Sequence, residues 1–167
     1  MSVKTPKSLL SASMKAGLQN ALQIELYQSN LWKHLANNLQ RLGLFGSQKY
    51  FLAESAEELT HYQMIVEFIN DMGDVADMPT IEAVKDKVTC IGSALEIGYD
   101  MELDVYKQYK KFYEEAEEED CVVAQFLLQF MEIQRKAVGH YGDLLAKYKI
   151  AEETKEILEF DEHISDL

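Results

Sequence analysis

The sequence predicts an all-α protein, a four-helix bundle with one long crossover and a short fifth helix at its C-terminal end. Helix-breaking residues gather in few places, at Pro6, the Gly43/Gly46 pair, the stretch from Gly73 through Pro79, and Gly92, and the long segments between them have helix-forming composition. Within those segments apolar residues recur at steps of three and four, the stripe that faces partner helices in a left-handed bundle. The breakers are also unequal in length, since only residues 73–92 form a long connection. With 167 residues and 47% hydrophobic side chains, the chain is long enough to enclose one core, and a single domain over 1–167 is expected.

The first helix is placed at 12–41, with Leu18, Leu22, Leu26 and Trp32 on its seam. The second, at 47–72, carries Phe51, Ile65, Phe68 and Met72. The third, at 93–117, carries Leu95, Tyr99, Tyr106 and Tyr109, and Ser93 with Glu96 three residues on reads as a capping box at its start. The fourth, at 121–148, carries Leu127, Phe130, Ala137, Tyr141 and Leu144, and a short fifth helix falls at 154–165. Short links make the first and last pairs antiparallel. A connection of about twenty residues can extend to about 66 Å, against about 39 Å for the second helix. It can therefore cross the bundle's full length and leave the second and third helices parallel.

Composition excludes several function classes. An excess of 29 Asp plus Glu over 16 Lys plus Arg gives a formal charge of −13, which repels phosphate backbones and anionic lipid surfaces and attracts cations. Nucleic acid and membrane are not expected partners. Cys90 and Cys121 have no CxxC context, so neither a disulfide framework nor a thiolate zinc site is indicated, and a reducing cytoplasm fits. No secretory leader and no apolar run of membrane-spanning length is apparent. The run Glu114 to Asp120 falls at the turn between the third and fourth helices as a solvated acidic patch.

Polar residues interrupt the apolar seams. Glu25 lies on the progression Leu18, Leu22, Glu25, Ser29, Trp32; Glu54, Glu58 and His61 lie between Phe51 and Ile65; Glu102 lies between Tyr99 and Tyr106; Gln134 lies between Phe130 and Ala137. Glu25, Glu58, His61, Glu102 and Gln134 all fall within about 5 Å of their helix midpoints at 1.5 Å per residue. Three carboxylates, an imidazole and an amide converging in an apolar core would be costly without cations among them. Oxygen-rich ligation with one nitrogen suits iron or manganese better than structural zinc, and Glu58-Leu59-Thr60-His61 is a Glu-x-x-His element with both ligands on one helix face. His34, His140 and His163 lie off these seams and are expected to be surface or contact residues.

At these residues the chain resembles the ferritins, most closely the non-haem bacterial type with ferroxidase, or H-type, subunits. Ile24-Glu25-Leu26-Tyr27 resembles the family's first-helix motif, Glu57-Glu58-Leu59-Thr60-His61 its second-helix motif, Glu102 its third-helix ligand, Gln134 its fourth-helix glutamine, and Gly142-Asp143-Leu144 the sequence that fixes the register of Gln134. The resemblance implies a ferritin-like fold and a di-iron centre with Glu58 bridging, Glu25 and His61 on one iron, Glu102 with Gln134 nearby on the other, and Glu57 alongside. It implies oxidation of Fe(II) to Fe(III) by dioxygen or hydrogen peroxide, storage of the mineral, and self-association into a 24-subunit cage.

The chain departs from that pattern at Trp32, where the family usually has tyrosine. Carboxylates that form a third iron site in some bacterial members are here Ile133, Lys136 and Ala137, so that site is expected to be absent. The acidic channel positions correspond to Val123, Ala124 and Leu127. Leu59 stands where haem-binding relatives have methionine, and the fourth helix lacks a second Glu-x-x-His, so no haem is expected. Two alternatives remain: a di-iron oxidase or peroxidase not devoted to storage, and a non-catalytic cage subunit.

Overall fold

The breaker-free stretches become four long helices: α1 (Ala12–Arg41), α2 (Phe45–Asp71), α3 (Ile91–Glu119) and α4 (Cys121–Thr154). A short α5 (Ile157–His163) and a 3-10 turn (Ile164–Asp166) follow. This computed structural model describes residue 3 and residues 6–167, so the sequence reading of the chain's first residues lies partly outside it. Among the described residues no helix is long and apolar enough to cross a membrane.

The α1–α2 turn is tight because Gly43 takes φ +80, a conformation that costs glycine little and a β-branched residue much. The crossover then returns along α1. Gln19 Nε2 donates to the Asp77 carbonyl at 3.1 Å, Gln23 Nε2 to the Thr80 carbonyl at 3.0 Å, and His34 Nε2 lies 2.8 Å from the Asp86 carbonyl. Lys15 pairs with Asp74 at 2.7 Å near the connection's start. Contacts advance from Lys15 to His34 on α1 as the connection advances from Asp74 to Asp86, which places it along the bundle and leaves α2 and α3 parallel, as the loop length predicts.

Three details differ from the sequence reading. The α3 cap is Cys90, whose sulfur accepts from the Ser93 backbone N–H while Ser93 Oγ accepts from the Cys90 N–H. Ser93 is thus the third helical residue of the box rather than its start, and Glu96 is exposed. The acidic run does not form a turn: α3 continues to Glu119, and Asp120 alone separates the helices, its Oδ1 accepting from Val122 N at 2.9 Å. α4 runs on to Thr154 because nothing between Lys149 and Thr154 breaks it, and Lys155, at φ 65, ends it.

The core falls into two apolar clusters with a polar level between them. One contains Met14, Leu18, Leu22, Ile65, Val105 and Leu127; the other contains Trp32, Leu35, Phe51, Leu95, Tyr141 and Leu144. Leu26 is only half-buried. Each long helix passes from one cluster to the other, and the residues at the crossing are the polar ones: Glu25, Gln28 and Ser29 on α1, Ser55, Glu58 and His61 on α2, Glu102 on α3 and Gln134 on α4, all buried.

Candidate metal centre

Close approach of α1 and α2 sets the register of the site. Ser29 Oγ donates to the Ser55 carbonyl at 2.9 Å and Ser55 Oγ to the Ser29 carbonyl at 2.8 Å. These two small side chains consume each other's hydrogen-bonding capacity inside the core. Ser29 lies one turn after Glu25 and Ser55 one turn before Glu58, so this clasp brings the two carboxylates level. On the other side of the bundle Gly98 admits the Tyr141 ring: a Cβ there would sit 2.2 Å from Tyr141 Cε1.

Glu25, Glu58 and His61 form a compact donor group, each offering one ligand atom with all three atoms within 4.8 Å of one another. His61 Nδ1 lies 2.9 Å from Glu58 Oε2 and 3.4 Å from Glu25 Oε2, the position a cation would be drawn to. Glu25 Oε1 accepts from the Tyr109 hydroxyl, while its Oε2 has no well-aligned hydrogen-bond partner. Glu58 Oε1 accepts from the Trp32 indole N–H at 3.0 Å. The α3 and α4 members complete the level: Glu102 Oε2 and Gln134 Oε1 are buried without hydrogen-bond partners. So are both amide atoms of Gln28.

A cavity of about 370 Å³ opens from this level between α2 and α4, lined by Glu58, His61, Glu102 and Gln134 within and by Glu57, Lys136 and His140 toward solvent. Glu57 is exposed, so it stands at the mouth rather than among the core donors. Ile133 and Ala137 supply apolar wall there, and Lys136 is drawn aside by Glu132 at 3.3 Å. Val123, Ala124 and Leu127 are buried in the apolar core of the chain.

Burial dominates the electrostatics. It raises the Glu25 carboxyl to about 7, assisted by the Glu58 charge and opposed by His61 and Tyr109. Glu102 is pushed well above the ordinary carboxylate value by burial and by the charges of Glu58, Glu54 and Glu25, with the Gln28 amide acting the other way. Burial also takes half-buried Glu54 to about 7, with the charges of Glu57 and Glu58 adding to the rise. His61 is disfavoured as a cation by burial, yet the Glu25 carboxylate 3.4 Å away and its hydrogen bond to Glu58 outweigh that and hold it near 10. An imidazolium among carboxylates, and carboxyls that keep protons near neutrality, are what an anionic pocket does when protons are the only cations. Unpartnered oxygens aimed at one level from α1, α3 and α4 fit hard or borderline divalent cations.

Of the residues expected from sequence, Glu25, Glu58, His61, Glu102 and Gln134 converge in the interior and Glu57 lies at the edge. Sequence reasoning missed Gln28, the donor roles of Tyr109 and Trp32, and His140. The last lies off the seam, yet it lines the cavity with its Nε2 3.1 Å from the Tyr50 hydroxyl. Tyr109 and Tyr141 have hydroxyl pKa values raised well above the ordinary value by burial, so both remain proton-bearing donors to Glu25 and Glu54.

Known proteins resemble this chain throughout its length. A Haemophilus influenzae protein described as a probable bacterial non-heme ferritin-like protein is 23% identical over 161 residues, covering 95% of this chain and 98% of its own. Ferritin BfrB of Mycolicibacterium smegmatis is 26% identical over 136 residues, covering 81% and 75%. Among solved structures, an open pore ferritin from Archaeoglobus fulgidus superposes with a TM-score of 0.89 at 23% identity, covering 93% of this chain and 98% of that one. Chlorobium tepidum ferritin gives 0.83 at 21%, covering 93% and 97%. The family profile described as Ferritin-like domain matches residues 15–151. Since that match runs from the first turns of α1 to the last turns of α4, the chain belongs to the ferritin family, a membership that supports iron storage.

Proposed function

We propose that this chain is an iron-storage ferroxidase, oxidising Fe(II) to Fe(III) at a two-iron centre in its own helical bundle. The observation that carries this reading is the set of unpartnered core oxygens facing the Glu25–Glu58–His61 group at one level. Iron is the substrate. Glu25, Glu58 and His61 hold one ion; Glu102 and Gln134 hold the second with the shared carboxylate of Glu58, and Glu57 at the mouth collects incoming Fe(II). Two Fe(II) each give up one electron, and dioxygen takes both electrons and two protons to become hydrogen peroxide. Where hydrogen peroxide is the oxidant, the same two electrons and two protons convert it to water. The protons that the buried carboxyls release as iron binds are available to that reduction. Copies of the chain self-associate into a closed cage, 24 by family resemblance, and the mineral accumulates inside.

The test is anaerobic Fe(II) loading of the assembled protein followed by rapid mixing with air-saturated buffer. About two Fe(II) per chain are expected to oxidise in a fast first phase, as a paired-carboxylate site requires. In Glu58→Ala that phase should vanish with assembly size unchanged by light scattering. A wild-type protein with no fast phase, or a variant that keeps it, overturns the reading.

A further inference from the structure

Trp32 is the single tryptophan of the chain and is fully buried two turns beyond Glu25 on α1. Its ring is clamped. It stacks on Tyr141 at 5.7 Å and 20°, and it leans on Phe51 at 6.0 Å and 34°. Tyr141 is in turn seated against Gly98 and tied to Glu54 at 3.3 Å. The indole N–H therefore points in one fixed direction, at Glu58 Oε1, 3.0 Å away. A buried indole donor needs a partner, and no other polar atom among the described residues accepts from it. The two oxygens of Glu58 are thereby made unequal: Oε2 faces His61 and the Glu25 side, while Oε1 already carries a donor.

We infer that Trp32 is a positioning residue that polarises Glu58, so that the two cation positions fill in order, the Glu25–Glu58–His61 position first and the Glu102–Gln134 position second. This rests on the two-ion reading of the site. When a cation takes the His61 nitrogen, the hydrogen bond between His61 and Glu58 is lost, and the indole becomes the remaining protein hydrogen bond on that carboxylate. It holds Oε2 toward the first ion. It also draws charge from Oε1, the oxygen left for the second ion, because a donor to a carboxylate competes with a metal for the same electron density. Removing the N–H loosens the first position and frees charge for the second, and both changes move the ratio of stepwise affinities in one direction.

The experiment is calorimetric titration of the metal-free assembled protein with Zn(II), which undergoes no oxidation, with the heats seen in Glu58→Ala subtracted as uptake elsewhere. Wild type is expected to bind in two resolved steps, and the emission of Trp32 should change in both, most in the second, where the ion meets the oxygen that accepts from the indole. In Trp32→Phe, which keeps a ring against Tyr141, the ratio of the two affinities should fall by tenfold or more. In Phe51→Leu, which disturbs the packing of the same ring and leaves its N–H, the ratio should stay. An unchanged ratio in Trp32→Phe, an equal fall in Phe51→Leu, or wild-type Trp32 emission that ignores Zn(II) uptake overturns the inference. Should Trp32→Phe fail to assemble, the wild-type emission decides alone. Failure of the ferroxidase reading looks different: Zn(II) steps and emission changes persist, and the fast oxidation phase is missing.

Discussion

Gln28 is the residue whose presence packing explains least. It is fully buried one turn after Glu25, neither amide atom has a hydrogen-bond partner, and it lies near enough to Glu102 to lower that carboxyl's pKa against the effect of burial. An unpaired buried amide costs about 1–3 kcal/mol, so a protein selected for stability alone would carry an apolar residue there. Gln28→Met keeps the length and approximate volume of the side chain and removes both polar atoms. The metal-free variant is expected to unfold about 1–3 kcal/mol harder than wild type in denaturant, while Zn(II) binding on the Glu102 side weakens by about tenfold or more. Stability and uptake both unchanged would show the amide to be an idle core group. Sequence alone does not reveal Gln28 because the apolar seam of α1 runs through 25, 29 and 32, one residue to the side. Tyr109 and Trp32 were hidden differently: on an apolar seam an aromatic ring reads as packing, and only the direction of its O–H or N–H shows that it serves a carboxylate.

At the scale of elements, a short helix stabilises the start of a long one. α2 has no side-chain cap of its own at Leu44. Asp161 of α5 takes that place from far along the chain, with its Oδ2 3.0 Å from Gly46 N and its Oδ1 2.8 Å from Ser47 N. A carboxylate on the free amides of a helix N-terminus is favoured by both hydrogen bonding and the helix dipole. Asp161→Ala is expected to lower stability by about 1–2 kcal/mol, read as a shift in the denaturant midpoint. Asp161→Asn should lose less, since it still accepts one bond. If the two variants melt with wild type, the cap contributes nothing. The elements themselves were legible because breakers and apolar spacing agree along the whole chain, and the crossover followed from its length. What stayed hidden was capping that departs from the usual residues: a cysteine opens α3, and an aspartate more than a hundred residues away caps α2. Neither local pattern distinguishes these from ordinary surface positions.

For the whole molecule the deciding fact is that one level of the bundle is acidic and buried, and its pH dependence follows with a definite sign. Glu25 and Glu54 are raised from 4.5 to about 7, and Glu102 is raised further in the same direction. A carboxyl that holds its proton more tightly folded than unfolded contributes stability that is full below pH 4.5 and is lost as pH climbs through the folded value. His61, raised from 6.5 to about 10, acts with the same sign in a higher window: its contribution is full below 6.5 and is lost toward 10. Groups with lowered values, such as Asp74, held at about 2 by Lys15, act below pH 4 and do not compete. The metal-free protein is therefore expected to lose melting temperature steadily between pH 5 and 8. A divalent cation binds the deprotonated site, so its stabilising effect grows over the same interval. Melting curves with chelator and with Zn(II) at several pH values in that interval should diverge as pH rises. Chelated protein that melts higher at pH 8 than at pH 5 would mean that these groups are solvated or already paired, and that the level between the two apolar clusters was not built to exchange protons for metal.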